Sequence, residues 1–99
     1  MTPADHSADH RAAIIDGLLD LAALLEANPD LPTPPYIEAH VFPKGTDEEI
    51  RAEVDRLAVL LGTTIDADAL PYGHYVTALS LGPTAYRVVG VLTTSPFHH

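Results

Sequence analysis

The chain has no cysteine and no tryptophan, and among its 99 residues only six are aromatic and only five are lysine or arginine. Without cysteine there is no disulfide framework, no thiolate metal site and no cysteine nucleophile, so a domain of this size must be held by packing alone. Scarce aromatics mean a core of Leu, Val, Ile and Ala. The six glycines all occur singly, which excludes a glycine-rich phosphate cradle. No apolar run approaches the roughly 20 residues of a membrane span. Asp5 and Asp9 stand where an export signal would need a basic segment, so a cytoplasmic location is expected.

Fourteen acidic residues against five basic ones give a formal charge of −9. Such a surface repels a phosphate backbone and argues against direct nucleic-acid binding, and it favours a basic protein partner. The plainest reading is that the charge keeps a small protein soluble.

What is present is a clear order of patterns. Ile14, Leu18, Leu21 and Leu25 recur at helical spacing, with Ile15 and Ala22 widening the stripe and Asp16, Asp20 and Glu26 off it. This predicts an amphipathic helix beginning near Ser7 or Asp9 and ending at Asn28–Pro29. The segment NPDLPTPP reads as a stiff connector. YIEAHVF alternates as a strand, with Ile37, Ala39 and Val41 on one face and Tyr36, Glu38, His40 and Phe42 on the other. TDEE at 46–49 is a capping-box pattern opening a second helix. Ile50, Val54, Leu57 and Leu61 form its buried stripe, and Gly62 ends it. TTI then suggests a brief strand, DADALPYG a loop, and residues 74–92 a hairpin turned by GPT at 82–84.

The expected fold is therefore α+β, in the order α-β-α-β-β: two helices on one face of a three-stranded, mostly antiparallel sheet. Residues 1–9 are expected to form a disordered tail, 10–93 a single domain, and 94–99 a C-terminal tail whose PFHH suits a tag remnant. The return arm, residues 85–92, lacks alternation and so belongs in the centre, with residues 36–42 antiparallel beside it. The alternative sets residues 36–42 parallel beside 74–81.

GLLDLAALLEANPDLPTP, EEIRAEVDRLAVLLG and HYVTALSLGPTAYRVVGV, in that order, resemble short proteins encoded by actinobacteria and by their phages and mobile elements. The resemblance spans about residues 11–93 and implies this architecture and a mobile-element context. It implies no activity, cofactor or catalytic residue.

Candidate chemistry is sparse. His6 and His10 lie i, i+4 with Asp5 and Asp9 beside them, half of a metal site if the helix extends back that far. A fraying terminus explains the same residues more simply, so no metal or other cofactor is expected. Glu38 and His40 share a strand face, where a carboxylate can orient an imidazole base. Thr77, Ser80 and Tyr86 are the nearest candidate hydroxyls, but any small sheet places hydroxyls beside a histidine, so a cross-strand polar pair is the better reading. His74 and Tyr75 read as strand-edge residues.

Asp47, Glu48, Glu49, Glu53 and Asp55 cluster on the second helix and could bind a partner by imitating DNA phosphates, although a capped, solvated helix start also explains them. Both hairpin faces are apolar. Grouping Val76, Ala78, Tyr86 and Val88 against Val89 and Val91 leaves one set uncovered, which predicts a homodimer through the sheet.

These features together suggest a non-enzymatic acidic interaction or regulatory module. A nucleic-acid-mimicking inhibitor is the second reading, and a small metal-dependent enzyme the third.

Overall fold

The computed structural model describes residues 3–93, with side chains from Ser7 onward. The expected C-terminal tail, 94–99, lies outside the described residues. The chain divides into two compact units at Pro34–Pro35, inside the proline-rich segment, and each is taken in turn.

The first unit holds α1, Pro3–Ala27. The helix starts earlier than Ser7, so most of the expected disordered tail is helical backbone. Asp5, Ala4 and Pro3 suit a first turn, where a proline lacks only an N–H that has no intrahelical partner anyway. At the other end Asn28 Nδ2 donates to the Leu24 carbonyl at 2.8 Å, and Pro29 stops the ladder.

The second unit holds β1 (Ile37–Val41), α2 (Asp47–Leu61), a 3-10 helix at Ala67–Tyr72, β2 (His74–Leu81) and β3 (Thr84–Val91). This is an α+β fold with a three-stranded sheet in the order β1-β3-β2. The return arm is central, as its composition predicts. β2 pairs with β3 antiparallel, but β1 pairs with β3 parallel, Ile37 opposite Thr84 through Val41 opposite Val88. The sheet is mixed, and the expected antiparallel pairing of the first strand is corrected.

The path after α2 explains the direction. Residues 63–66 are not a strand but run back along the edge of β2. Asp66 N donates to Val76 O at 2.8 Å, and the buried Thr77 hydroxyl bonds Thr63 Oγ1 and the Thr64 carbonyl. The chain therefore returns to the end where β1 finished before β2 begins. β2 runs opposite to β1, and β3, after the hairpin, runs with it.

The hairpin turn has two residues, Gly82 and Pro83, with Leu81 opposite Thr84. Gly82 has φ +62°, and a positive φ followed by proline's fixed negative φ is the sign pattern of a II′ turn. The Thr84 hydroxyl donates to Leu81 O at 2.7 Å. The expected three-residue GPT turn would have paired Leu81 with Ala85. Because side chains alternate with a period of two, losing one turn residue sends the whole return arm to the opposite face.

Tyr75, Thr77, Leu79 and Leu81 thus share a face with Tyr86, Val88 and Gly90, while Val76 and Ala78 share the other with Val89 and Val91. The grouping expected from the sequence, Val76 and Ala78 with Tyr86 and Val88, is corrected.

α2 covers the first of these faces. Thr46 and Glu49 form the complete capping box, with Glu49 N donating to Thr46 Oγ1 and Thr46 N to Glu49 Oε1, and Gly62 closes the helix at φ +71°. Ile50, Val54 and Val88 are the buried cluster, with Leu57, Leu61, Ile65, Tyr75 and Leu92 packed around it. The helix reaches the Tyr75–Gly90 end of the sheet. Towards the turn, Leu81 (63% exposed), Ile37 and Tyr86 (both 37%) stay open. Within the sheet's own unit, α2 is the helix over this face.

Replacing Thr46 with Ala should lower stability by about 1 kcal/mol, because the Glu49 N–H loses its cap. The Thr46 bonds, backbone first and hydroxyl second, hold the Glu49 carboxyl below its ordinary pKa. A lowered folded pKa adds stability above the unfolded value that is lost as pH falls through the folded one. Thr46→Ala shares that loss, because it keeps the backbone N–H bond from position 46 to Glu49 Oε1. Its gap in urea midpoint from the parent, set by the non-titrating Thr46 Oγ1 acceptor, should therefore largely persist in acid, and a gap absent at pH 7 would refute the capping account.

Candidate functional site

Three groups of side chains could carry function, and they differ in how far the fold already employs them. The first is the acidic cluster on α2. Asp47 Oδ1 accepts from both the backbone N–H and the hydroxyl of Thr93, at 2.8 and 2.9 Å. Glu49 closes the capping box. Glu53 makes a bidentate pair with Arg56, at 2.7 and 2.8 Å, which lowers the Glu53 pKa and raises that of Arg56. Asp55 accepts from the Tyr75 hydroxyl at 2.6 Å. Four of the five carboxylates thus hold α2 to itself or to the sheet, and Glu48 completes the acidic first turn.

Tyr75 ties this cluster to β2. Its hydrogen bond to Asp55 is the main cause of its raised pKa, with partial burial and the Asp55 charge adding to it and Arg51, 6.0 Å from the ring centre, opposing. A raised folded pKa supplies stability that is present below the ordinary tyrosine value and lost as pH rises through the folded one. Tyr75→Phe should cost about 0.5–1.5 kcal/mol at pH 7. The deficit should shrink at pH values above about 10, where the parent tyrosinate is no longer a donor. Denaturant midpoints at pH 7 and pH 11 check this, and a gap that widens in alkali would overturn it.

The second group lies on the sheet face turned away from α2. His40 donates to the Glu38 carboxylate at 2.8 Å, both side chains being partly exposed, and the His40 and Phe42 rings stand 6.0 Å apart. The expected pairing of Glu38 with His40 is present. Across the sheet, Glu38 is in line with Ala85 and then Ser80, and His40 with Arg87 and then Ala78. Ser80 is therefore two strands away, about 10 Å by strand spacing. Thr77 and Tyr86 face α2, on the other side of the sheet. The arrangement is a polar patch with an oriented imidazole, and of the expected hydroxyls Thr77, Ser80 and Tyr86 none lies beside it.

Of the metal-site candidates, Asp5, His6, Asp9 and His10 fall within α1, but the side chains of Asp5 and His6 lie outside the described residues. Among the described residues no group of three or more His, Asp or Glu could hold a metal ion. Among the described residues no helix is long and apolar enough to cross a membrane.

The expected dimer surface does not form one patch. Val76, Val88 and Val89 are already buried, at 2%, 0% and 9% exposure. Val88 and Tyr86 face α2, whereas Val76, Ala78, Val89 and Val91 face away. Burial of Val76 and Val89 removes the middle of the face on which the sheet-mediated dimer depended.

The third group is the apolar arc of α1. Leu19, Leu18, Ile14, Leu24, Ile15 and Leu21 are between 64% and 41% exposed. Asp9, Asp16 and Asp20 fall together on the opposite side at helical spacing. Sequence periodicity marks this stripe; it cannot say that the stripe stays open. A shallow depression lined by Ser7, Ala8, His10, Arg11, Ile14 and Ile15 runs along the same helix. No protein-family model, no curated protein and no solved structure matches the chain.

Proposed function

We propose that the protein is a non-enzymatic interaction or regulatory module that acts by protein–protein association through α1. The observation that carries this reading is the exposed apolar arc of that helix, from Ile14 to Leu24. A helix apolar over more than half of its circumference is a helix meant to be covered. Where the partner is a foreign protein, the net charge of −9, with Asp9, Asp16 and Asp20 beside the arc, favours one that is basic around an apolar centre. The carboxylates of α2 support the nucleic-acid-mimic reading less well, because the fold already engages most of them.

The test compares capture by the intact chain with capture by Leu18→Asp/Leu21→Asp and by Glu53→Lys/Asp55→Lys, all at low salt. Association that is lost in the first variant and kept in the second supports the reading. If capture is indifferent to the α1 substitutions, α1 is not the working surface. If it is lost only in the α2 variant and weakened by salt, the acidic helix is the surface instead.

A further inference from the structure

Accepting that α1 is the associating surface, we infer that it takes a second copy of this chain, its α1 helix packed antiparallel about a two-fold axis near residues 19 and 20. The spacing of Ile14, Leu18, Leu21 and Leu25 is four, three, four, the repeat of a helix whose seam faces another helix. α1 is continuous from Pro3 to Ala27, about 37 Å at 1.5 Å per residue, so the seam lies within unbroken helix. Turned antiparallel on that axis, Leu18 stands level with Leu21 of the other copy and Ile14 with Leu25. The seam is complementary to itself, as a closed two-fold interface requires.

Charge fixes the direction. Arg11 is the only lysine or arginine in residues 1–34, and it continues the seam one step before Ile14. Three and four residues away stand Ser7, Ala8, Ile14 and Ile15, none of them acidic. Glu26 is placed likewise at the other end, among Ala22, Ala23, Pro29 and Asp30. Neither takes part in a salt bridge among the described residues. In the antiparallel pair, Arg11 of each copy comes within about one turn of Glu26 of the other, on the same side of the seam. In a parallel pair Arg11 would meet Arg11 across the seam and each Glu26, one residue beyond the seam position of Leu25, would stand on the opposite side from the other, so the arginines repel and no pair forms. Asp9, Asp16 and Asp20 stay on the outer side in the antiparallel arrangement.

The full-length chain is measured by light scattering and sedimentation between about 1 and 100 μM, a range bracketing the weak-to-moderate affinity of a short helical seam. A dimer is expected. Leu18→Asp/Leu21→Asp should be monomeric. Arg11→Glu, an exposed change that need not disturb folding, should weaken dimerisation about 3–10-fold, since two symmetric ion pairs are reversed. Arg11→Glu/Glu26→Arg should restore it.

A monomeric parent overturns self-pairing while leaving association with a foreign protein intact, and that wider reading falls only if capture ignores the α1 substitutions. A dimer that survives Leu18→Asp/Leu21→Asp places the interface elsewhere and overturns the proposal. A dimer lost in that variant but unaffected by Arg11→Glu, or weakened by Arg11→Glu and not restored in Arg11→Glu/Glu26→Arg, overturns the antiparallel register.

Discussion

Replacing Val54 with Asp is expected to unfold the sheet unit at pH 7. Val54, on the buried face of α2, has no exposed surface and packs in one cluster with Ile50 and Val88. A carboxyl there has no partner, and keeping it protonated at pH 7, about 3 units above an ordinary Asp pKa, costs about 4 kcal/mol. Losing the valine's burial adds roughly 1.5–3 kcal/mol. A unit of this size is stabilised by roughly 3–10 kcal/mol, at 0.05–0.15 kcal/mol per residue, so the total consumes most or all of it. Val54→Ala, which loses methyls and leaves a small cavity, should cost only about 2 kcal/mol and remain folded.

The two variants also differ in pH dependence. A buried Asp has a raised folded pKa, so its penalty relaxes as pH falls. Between pH 7 and pH 5 the gap between Asp and Ala at position 54 should close by up to about 2.7 kcal/mol. Dispersion of the amide resonances of residues 35–93, with urea midpoints for the folded variant, measures both effects. A folded Val54→Asp protein of parental stability at pH 7 would mean that Val54 is not the centre of the core.

That centre was legible in the sequence because α2 carries every local signal a helix can: Thr46 and Glu49 at one end, Gly62 at the other, and Ile50, Val54, Leu57 and Leu61 between them. Each of these acts within a turn or two of its own position. β1 was legible for a similar reason, since its alternation fixes which residues share a face whatever strand lies beside it.

What could not be read depended on distant pairings. Whether Thr84 belongs to the turn or to the strand is a choice of one residue, yet it decides the face of every side chain from Tyr86 to Val91. The direction of β1 relative to β3 rested on residues 63–72, which read as a brief strand and a loop but form a return pass bonded to β2 through Thr63, Thr64 and Asp66. The polarity of Glu38 and His40 was visible; that Ser80 lies two strands away and Thr77 behind the sheet was not. For the acidic cluster, type and position were visible, while the bonds that occupy Asp47, Glu53 and Asp55 come from Thr93, Arg56 and Tyr75, two of them far along the chain.

Gly90 shows how one missing side chain sets the distance between layers. It stands in the central strand opposite Tyr75, buried, where a strand residue would ordinarily gain from a larger side chain. Its φ is not positive, so backbone conformation does not demand glycine there. Space does: a Cβ at this position would lie 2.5 Å from Ile50 Cγ2, 3.1 Å from the Tyr75 carbonyl oxygen and 3.3 Å from Val54 Cγ2. Ile50 cannot swing this methyl away easily, because a β-branched residue in a helix has essentially one χ1 rotamer. The helix itself must lift.

Gly90→Ala should therefore destabilise the unit by about 1–3 kcal/mol, the usual cost of overpacking, even though relieving a strand glycine would by itself gain roughly 0.5–1 kcal/mol. Ile50→Ala alone should cost about 2–5 kcal/mol. The double variant removes the very methyl with which the new Cβ collides, so its loss should fall short of the sum by about 1–2 kcal/mol, a coupling that residues out of contact do not show. Urea denaturation of the four proteins gives that coupling directly. Strict additivity, or a Gly90→Ala protein more stable than its parent, would mean that α2 does not rest on the backbone of β3 at Gly90.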